Sequence, residues 1–130
     1  MAFSKAKMVM ALAFIISFFA SPRAILASEY YIAELSCLLR GNPVVLTACF
    51  ENTQLEVRKN GYKNVYQAWD IQRAGDYNGS TLRVDLTQHF EIAAQNSGEY
   101  LVLELKIKDA SGSLVFQEQA GQYGVIGVRN

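Results

Sequence analysis

Only two cysteines, one histidine, one tryptophan and two prolines occur in the 130 residues. Two thiols and one imidazole do not complete a four-ligand zinc site without recruiting an acid. Cys37 and Cys49 also lack the C-x-x-C spacing of a thioredoxin-like redox motif. No serine stands in a G-x-S-x-G elbow, so Ser80, Ser97, Ser111 and Ser113 have no nucleophile context. His89, with Asp85 and Glu91 near it in sequence, reads as a polar residue at a strand end before Phe90 rather than as a general base. Gly121, Gly124 and Gly127 recur every third residue but have neither G-x-G-x-x-G spacing nor a helix behind them, which leaves turns or an irregular edge strand. Asp70 and Asp76 bracket a short segment that matches no EF-hand ligand series. No catalytic constellation, metal set or cofactor motif emerges, so the chain reads as non-enzymatic.

An excess of basic charge is missing too. Lys and Arg number 12, as do Asp and Glu, and Arg58-Lys59 is the longest basic run of the folded part. Nucleic acid is recognised by neutralising phosphates with clustered Lys and Arg, so it is set aside as a partner.

The chain contains one long apolar run, Met8 to Ala20, preceded by Lys5 and Lys7 and followed by Ser21-Pro22-Arg23. A positive start, a short apolar centre and a small-residue exit define a secretory signal peptide. As a helix that run would cover about 20 Å, short of the roughly 30 Å hydrocarbon core. We therefore expect residues 1–27 to be removed, with Ala20 and Ala24 as competing cleavage points, and residues 28–130 to form one domain that is not membrane-embedded. Subtracting Lys5, Lys7 and Arg23 leaves nine basic against 12 acidic side chains, a net charge of about −3.

Export to a periplasm or the extracellular medium lets paired thiols oxidise and persist, so Cys37 and Cys49 are expected to form one disulfide. A fold-back near Asn42-Pro43 would set the two directly opposite each other on neighbouring strands.

Period-two alternation dominates the rest. Leu55 and Val57 alternate with polar residues up to Asn60-Gly61, a type I′ hairpin signal, and Tyr62 to Tyr66 returns. Leu82, Val84 and Leu86 repeat the pattern. In LVLELKIK, residues 101–108, Leu101, Leu103, Leu105 and Ile107 take one face while Glu104, Lys106 and Lys108 take the other. A turn at Asp109 to Ser113 leads to Leu114 to Gln119; Tyr30 to Leu35 and Val125 to Val128 supply a first and a last strand. Helical periodicity is confined to single turns within Val65 to Arg73 and Phe90 to Gln95. Seven or eight short strands without a repeat predict an all-β antiparallel sandwich of immunoglobulin-like size, with a small β-barrel as the alternative.

A binding surface is the remaining functional feature. Tyr66, Trp69 and Tyr77 stand among Asp70, Arg73 and Asp76, and Tyr, Trp and Arg dominate interface hot spots. A lone tryptophan in a small sandwich favours the core, which would leave Tyr66, Arg73 and Tyr77 at the surface. Two functions fit. One is a protein-binding module: an inhibitor or immunity protein against a lysozyme-like cell-envelope enzyme, or an accessory subunit of an envelope assembly. The other is a carbohydrate-binding module that stacks sugars on exposed aromatics.

Overall fold

The computed structural model describes residues 28–130, so the expected leader, residues 1–27, lies outside the described residues. In chain order come β1 (Tyr30–Leu39), β2 (Asn42–Val44), a 3-10 helix (Leu46–Phe50), β3 (Leu55–Lys59), β4 (Tyr62–Tyr66) and α1 (Ala68–Arg73). They are followed by β5 (Thr81–Thr87), β6 (Phe90–Gln95), β7 (Val102–Asp109), β8 (Leu114–Ala120) and β9 (Val125–Arg129). Two antiparallel sheets result. The first has the order β2-β1-β7-β8, with β5 pairing β1 alongside β2; the second has the order β4-β3-β6-β9. This is the β-sandwich that the alternation predicts.

The core is made by the inward residues of both sheets. Ala33, Leu35 and Cys37 of β1, Leu82, Val84 and Leu86 of β5, and Leu103, Leu105 and Ile107 of β7 face Leu55, Val57, Phe90, Ile92, Ala94, Ile126 and Val128. Each alternates with a more exposed neighbour, as a two-layer sandwich requires. One end of this core is closed by Leu46 and Phe50 of the 3-10 helix and by Ile71 of α1, all fully buried.

Turn chemistry sets the registers. Asn60 (φ 51°) and Gly61 (φ 82°) form the expected two-residue turn, with Lys59 opposite Tyr62. The first hairpin departs from expectation. Its turn is Arg40-Gly41 (φ 52° and 84°), and the facing pairs are Cys37 with Val44, Leu38 with Pro43 and Leu39 with Asn42. Cys49 is therefore no cross-strand neighbour of Cys37. After β2 the chain curls into the 3-10 helix, which buries Leu46 and Cys49 three residues apart on one side. The Cys37–Cys49 disulfide forms as expected, with 5.8 Å between Cα atoms, but it ties a strand to a helix. Pro43 stands on the short edge strand β2, where a missing N–H costs no ladder bond.

One further expectation is corrected. Phe90 to Gln95 is strand rather than a helical turn, because Phe90, Ile92 and Ala94 all bury at period two. Val65 to Arg73 does hold its short helical segment: its first residues complete β4 and its last six form α1. Glu104 is only 9% exposed despite lying on the outer face of β7. Gln117 and Gln119 of β8 donate to its Oε2 at 2.9 and 2.8 Å and cover it.

Candidate functional site

Strand directions place the C-terminal ends of β1, β4, β6 and β8 and the starts of β5, β7 and β9 together at one end of the sandwich. The 3-10 helix, α1, the 96–101 loop and the 121–124 loop all belong to this end. Three of the five exposed aromatics among the described residues, Trp69, Tyr100 and Tyr123, lie at this end with the disulfide.

The sequence-predicted patch divides there. Tyr66, Asp70 and Arg73 line a shallow cleft of about 360 Å³ with Asn64, Val65 and Ala74. Asp70 is occupied locally: its Oδ2 accepts from the backbone N–H of Gln67 at 3.0 Å, closing the capping box of α1, and Oδ1 lies 3.8 Å from Arg73 Nη2. Trp69 is 56% exposed, which corrects its expected core position; Ile71 is the residue α1 buries instead. Asp76 and Tyr77 stand outside this cleft. The Tyr77 ring packs on the core and its hydroxyl donates to the Gly79 carbonyl, bracing the turn before β5. Asp76 contributes its backbone carbonyl to Arg83 N–H at 3.1 Å.

The stronger feature was not singled out from the sequence. Residues Asn96, Ser97 and Gly98 are buried, while the next two, Glu99 and Tyr100, are exposed. The buried base is fixed by several bonds. Asn96 Nδ2 donates to Leu101 O (2.7 Å) and Ala120 O (3.0 Å), and its Oδ1 accepts from Gly98 N (2.8 Å). Ser97 N donates to Cys49 O at 2.8 Å, and Ser97 Oγ accepts from Asn52 N at 3.1 Å. Gly98 leaves no room for a side chain, since a Cβ there would lie 2.6 Å from the Ala48 carbonyl. The loop is thereby sewn to the disulfide-tethered helix.

Its tip is held in an uncommon conformation. Tyr100 has φ 64° and is 81% exposed, the most exposed large apolar side chain among the described residues. An L-residue in the left-handed region costs roughly 1–2 kcal/mol. Tyr123, in the adjoining loop, repeats this with φ 64° and 67% exposure. Asn96 joins the two loops: its carbonyl accepts from Tyr123 N–H, and its N–H donates to Gly124 O at 3.0 Å. Two exposed aromatics in strained backbone thus hang on one buried amide. The only sequence signal was the turn-like Asn96-Ser97-Gly98 ahead of a strongly alternating strand.

No group of three or more His, Cys, Asp or Glu among the described residues is placed to hold a metal ion. No helix among them is long and apolar enough to cross a membrane. Comparisons with protein-family models, with curated proteins and with solved structures give no match to this chain.

Proposed function

We propose that the protein is an exported, non-enzymatic inhibitor that acts in the periplasm or the surrounding medium by inserting the Glu99-Tyr100 tip into the cleft of a cell-envelope enzyme. The observation that carries this reading is the contrast between a buried, fully bonded base at Asn96 to Gly98 and an exposed aromatic tip beside it. Binding by a mobile loop spends free energy on ordering it; a loop already fixed by hydrogen bonds and a disulfide avoids most of that cost. Tyrosine at the tip brings a large contact area, few rotamers and a hydroxyl for a polar cleft.

A lysozyme-like glycosidase suits this tip best among envelope enzymes. Its substrate cleft binds polar rings and carries catalytic carboxylates, against which a phenol hydroxyl is a natural donor. Such wall-degrading enzymes profit from being basic on an anionic wall, and an inhibitor with a net charge near −3 is steered towards them. An immunity protein or an envelope-assembly subunit would use the same end. The carbohydrate-binding alternative draws support from exposed Trp69, but Tyr77 is committed to the core and to its own turn, so no three-ring platform forms.

The test is inhibition of wall hydrolysis by the oxidised protein across a panel of lysozyme-type enzymes. One enzyme blocked stoichiometrically, with Tyr100→Ala relieving the block, supports the proposal. No inhibition of any of them, together with retention of wall polysaccharide that Trp69→Ala abolishes, would sink it in favour of glycan binding.

A further inference from the structure

From β4, one of the two edge strands of the second sheet, we infer that the protein self-associates, β4 pairing antiparallel with β4 of a second copy about a two-fold axis at Asn64. This surface is separate from the Tyr100 tip and does not depend on the inhibitory reading. In a hairpin with a two-residue turn the flanking residues exchange both backbone bonds, so Lys59 bonds Tyr62, and by alternation Val57 bonds Asn64 and Leu55 bonds Tyr66. The N–H and C=O groups of Lys63 and Val65 consequently point away from the sheet. β4 is exposed along almost its whole length, with Tyr62 78% exposed. An edge strand with unpaired outward N–H and C=O groups can template another strand.

The side chains select the second copy and one register. Outward-pointing groups must meet outward-pointing groups, which allows axes at Lys63, Asn64 or Val65. An axis at Lys63 sets two ammonium groups directly opposite, which is unfavourable. An axis at Val65 sets Lys63 against Gln67, where the chain has already left the strand for α1. The Asn64 axis avoids both problems. It matches all five residues of β4 with all five of the second copy, Lys63 facing Val65 and Tyr62 facing Tyr66 twice over. Tyr62 and Tyr66 meet as non-hydrogen-bonded pairs, in which side chains stand closest, so each exposed Tyr62 gains an aromatic neighbour. Lys63 retains Glu56 at 3.8 Å on its own chain. Because the pairing is antiparallel, the two loop ends point apart and each Tyr100 stays accessible.

Sedimentation of the oxidised protein over the micromolar range tests this, with two kinds of variant. Val65→Pro removes an outward N–H without touching the β3–β4 bonds and is expected to give a monomer with unchanged circular dichroism. Asn64→Cys faces itself across the axis at about 4.5 Å between Cα atoms, within disulfide reach, and should oxidise to a covalent dimer. Lys63→Cys faces Val65 and should not. A wild-type protein that is monomeric throughout, a dimer that Val65→Pro leaves intact, or cross-linking as ready at position 63 as at 64 would each overturn the inference. Where Val65→Pro unfolds the domain, the two cysteine variants decide alone.

Discussion

Asn96 Nδ2 lies 2.7 Å from the Leu101 carbonyl, and through that bond a buried amide fixes the backbone on which Tyr100 stands. The same side chain reaches Ala120 and Gly98, so it joins its own loop to the end of β8, where the 121–124 loop begins. Removing it leaves buried carbonyls and an N–H without partners, each worth about 1–3 kcal/mol. Asn96→Ala is therefore expected to lower unfolding free energy by about 3 kcal/mol in urea titration. It should also weaken enzyme inhibition under conditions where the variant is still fully folded, because the tip loses its fixed placement.

Tyr100 predicts the opposite pattern. Glycine adopts φ 64° freely, so Tyr100→Gly relieves native strain while adding unfolded-state entropy, and stability should stay within about 1 kcal/mol of wild type. Affinity for the blocked enzyme should fall by about 30-fold or more if the ring is the anchor, since hot-spot truncations cost at least 2 kcal/mol. Chemical denaturation and an inhibition titration on one sample separate the two effects.

The disulfide connects stability to the same loop. Cys37 and Cys49 are 12 residues apart, and the Cys49 carbonyl accepts the Ser97 N–H. Reduction, or replacement of both cysteines by alanine, should cost about 3 kcal/mol by the chain-entropy account. Amide hydrogen exchange should show the loss concentrated in the 3-10 helix and at Ser97 and Gly98, ahead of the β1–β7 ladder.

Much of the sandwich was legible because burial writes itself into period two. Leu82, Val84 and Leu86 and the Leu101 to Lys108 tract named their strands, and Asn60-Gly61 named its turn. Legibility failed where the deciding contact was remote in sequence. The cysteine pair was right but its geometry was not, because Arg40-Gly41 made the turn and Pro43 continued as an edge strand. The burial of Glu104 on the face opposite the leucines left no local mark, because Gln117 and Gln119, which cover it, sit on the next strand. The Tyr100 tip was illegible for a related reason: the bonds that hold its loop run from Asn96 to Leu101 and Ala120 and from Ser97 to Cys49, and an exposed tyrosine after a turn has no pattern of its own.

Trp69 offers a direct check on the corrected placement. A core tryptophan cut to alanine costs about 3–5 kcal/mol, whereas a surface substitution usually stays within about 0.5 kcal/mol. With the ring 56% exposed and Ile71 filling the core, Trp69→Ala should lie near the lower figure and Ile71→Ala should cost about 2–5 kcal/mol. Emission of the native protein should already sit near the wavelength of solvated indole and shift little on unfolding.

Acid sensitivity should trace to Glu104. Burial raises its pKa, but the two glutamine amides and the Lys106 ammonium together outweigh burial and hold the carboxyl below the usual glutamate range. A depressed folded value means that the contribution is complete above the ordinary glutamate pKa and is lost as pH falls through the folded one. Asp109 adds a contribution of the same sign, its carboxylate held down first by the Ser111 hydroxyl and then by backbone N–H groups of the β7–β8 turn. Glu104→Gln keeps the shape but loses the charged acceptor, so it should be less stable than wild type at neutral pH by about 1 kcal/mol. That gap should close on acidification, because protonation makes the wild-type carboxyl neutral as well. Paired urea midpoints at neutral and acidic pH check this. A gap that stays constant with pH would mean that packing against Gln117 and Gln119, and not the charge, is what Glu104 contributes.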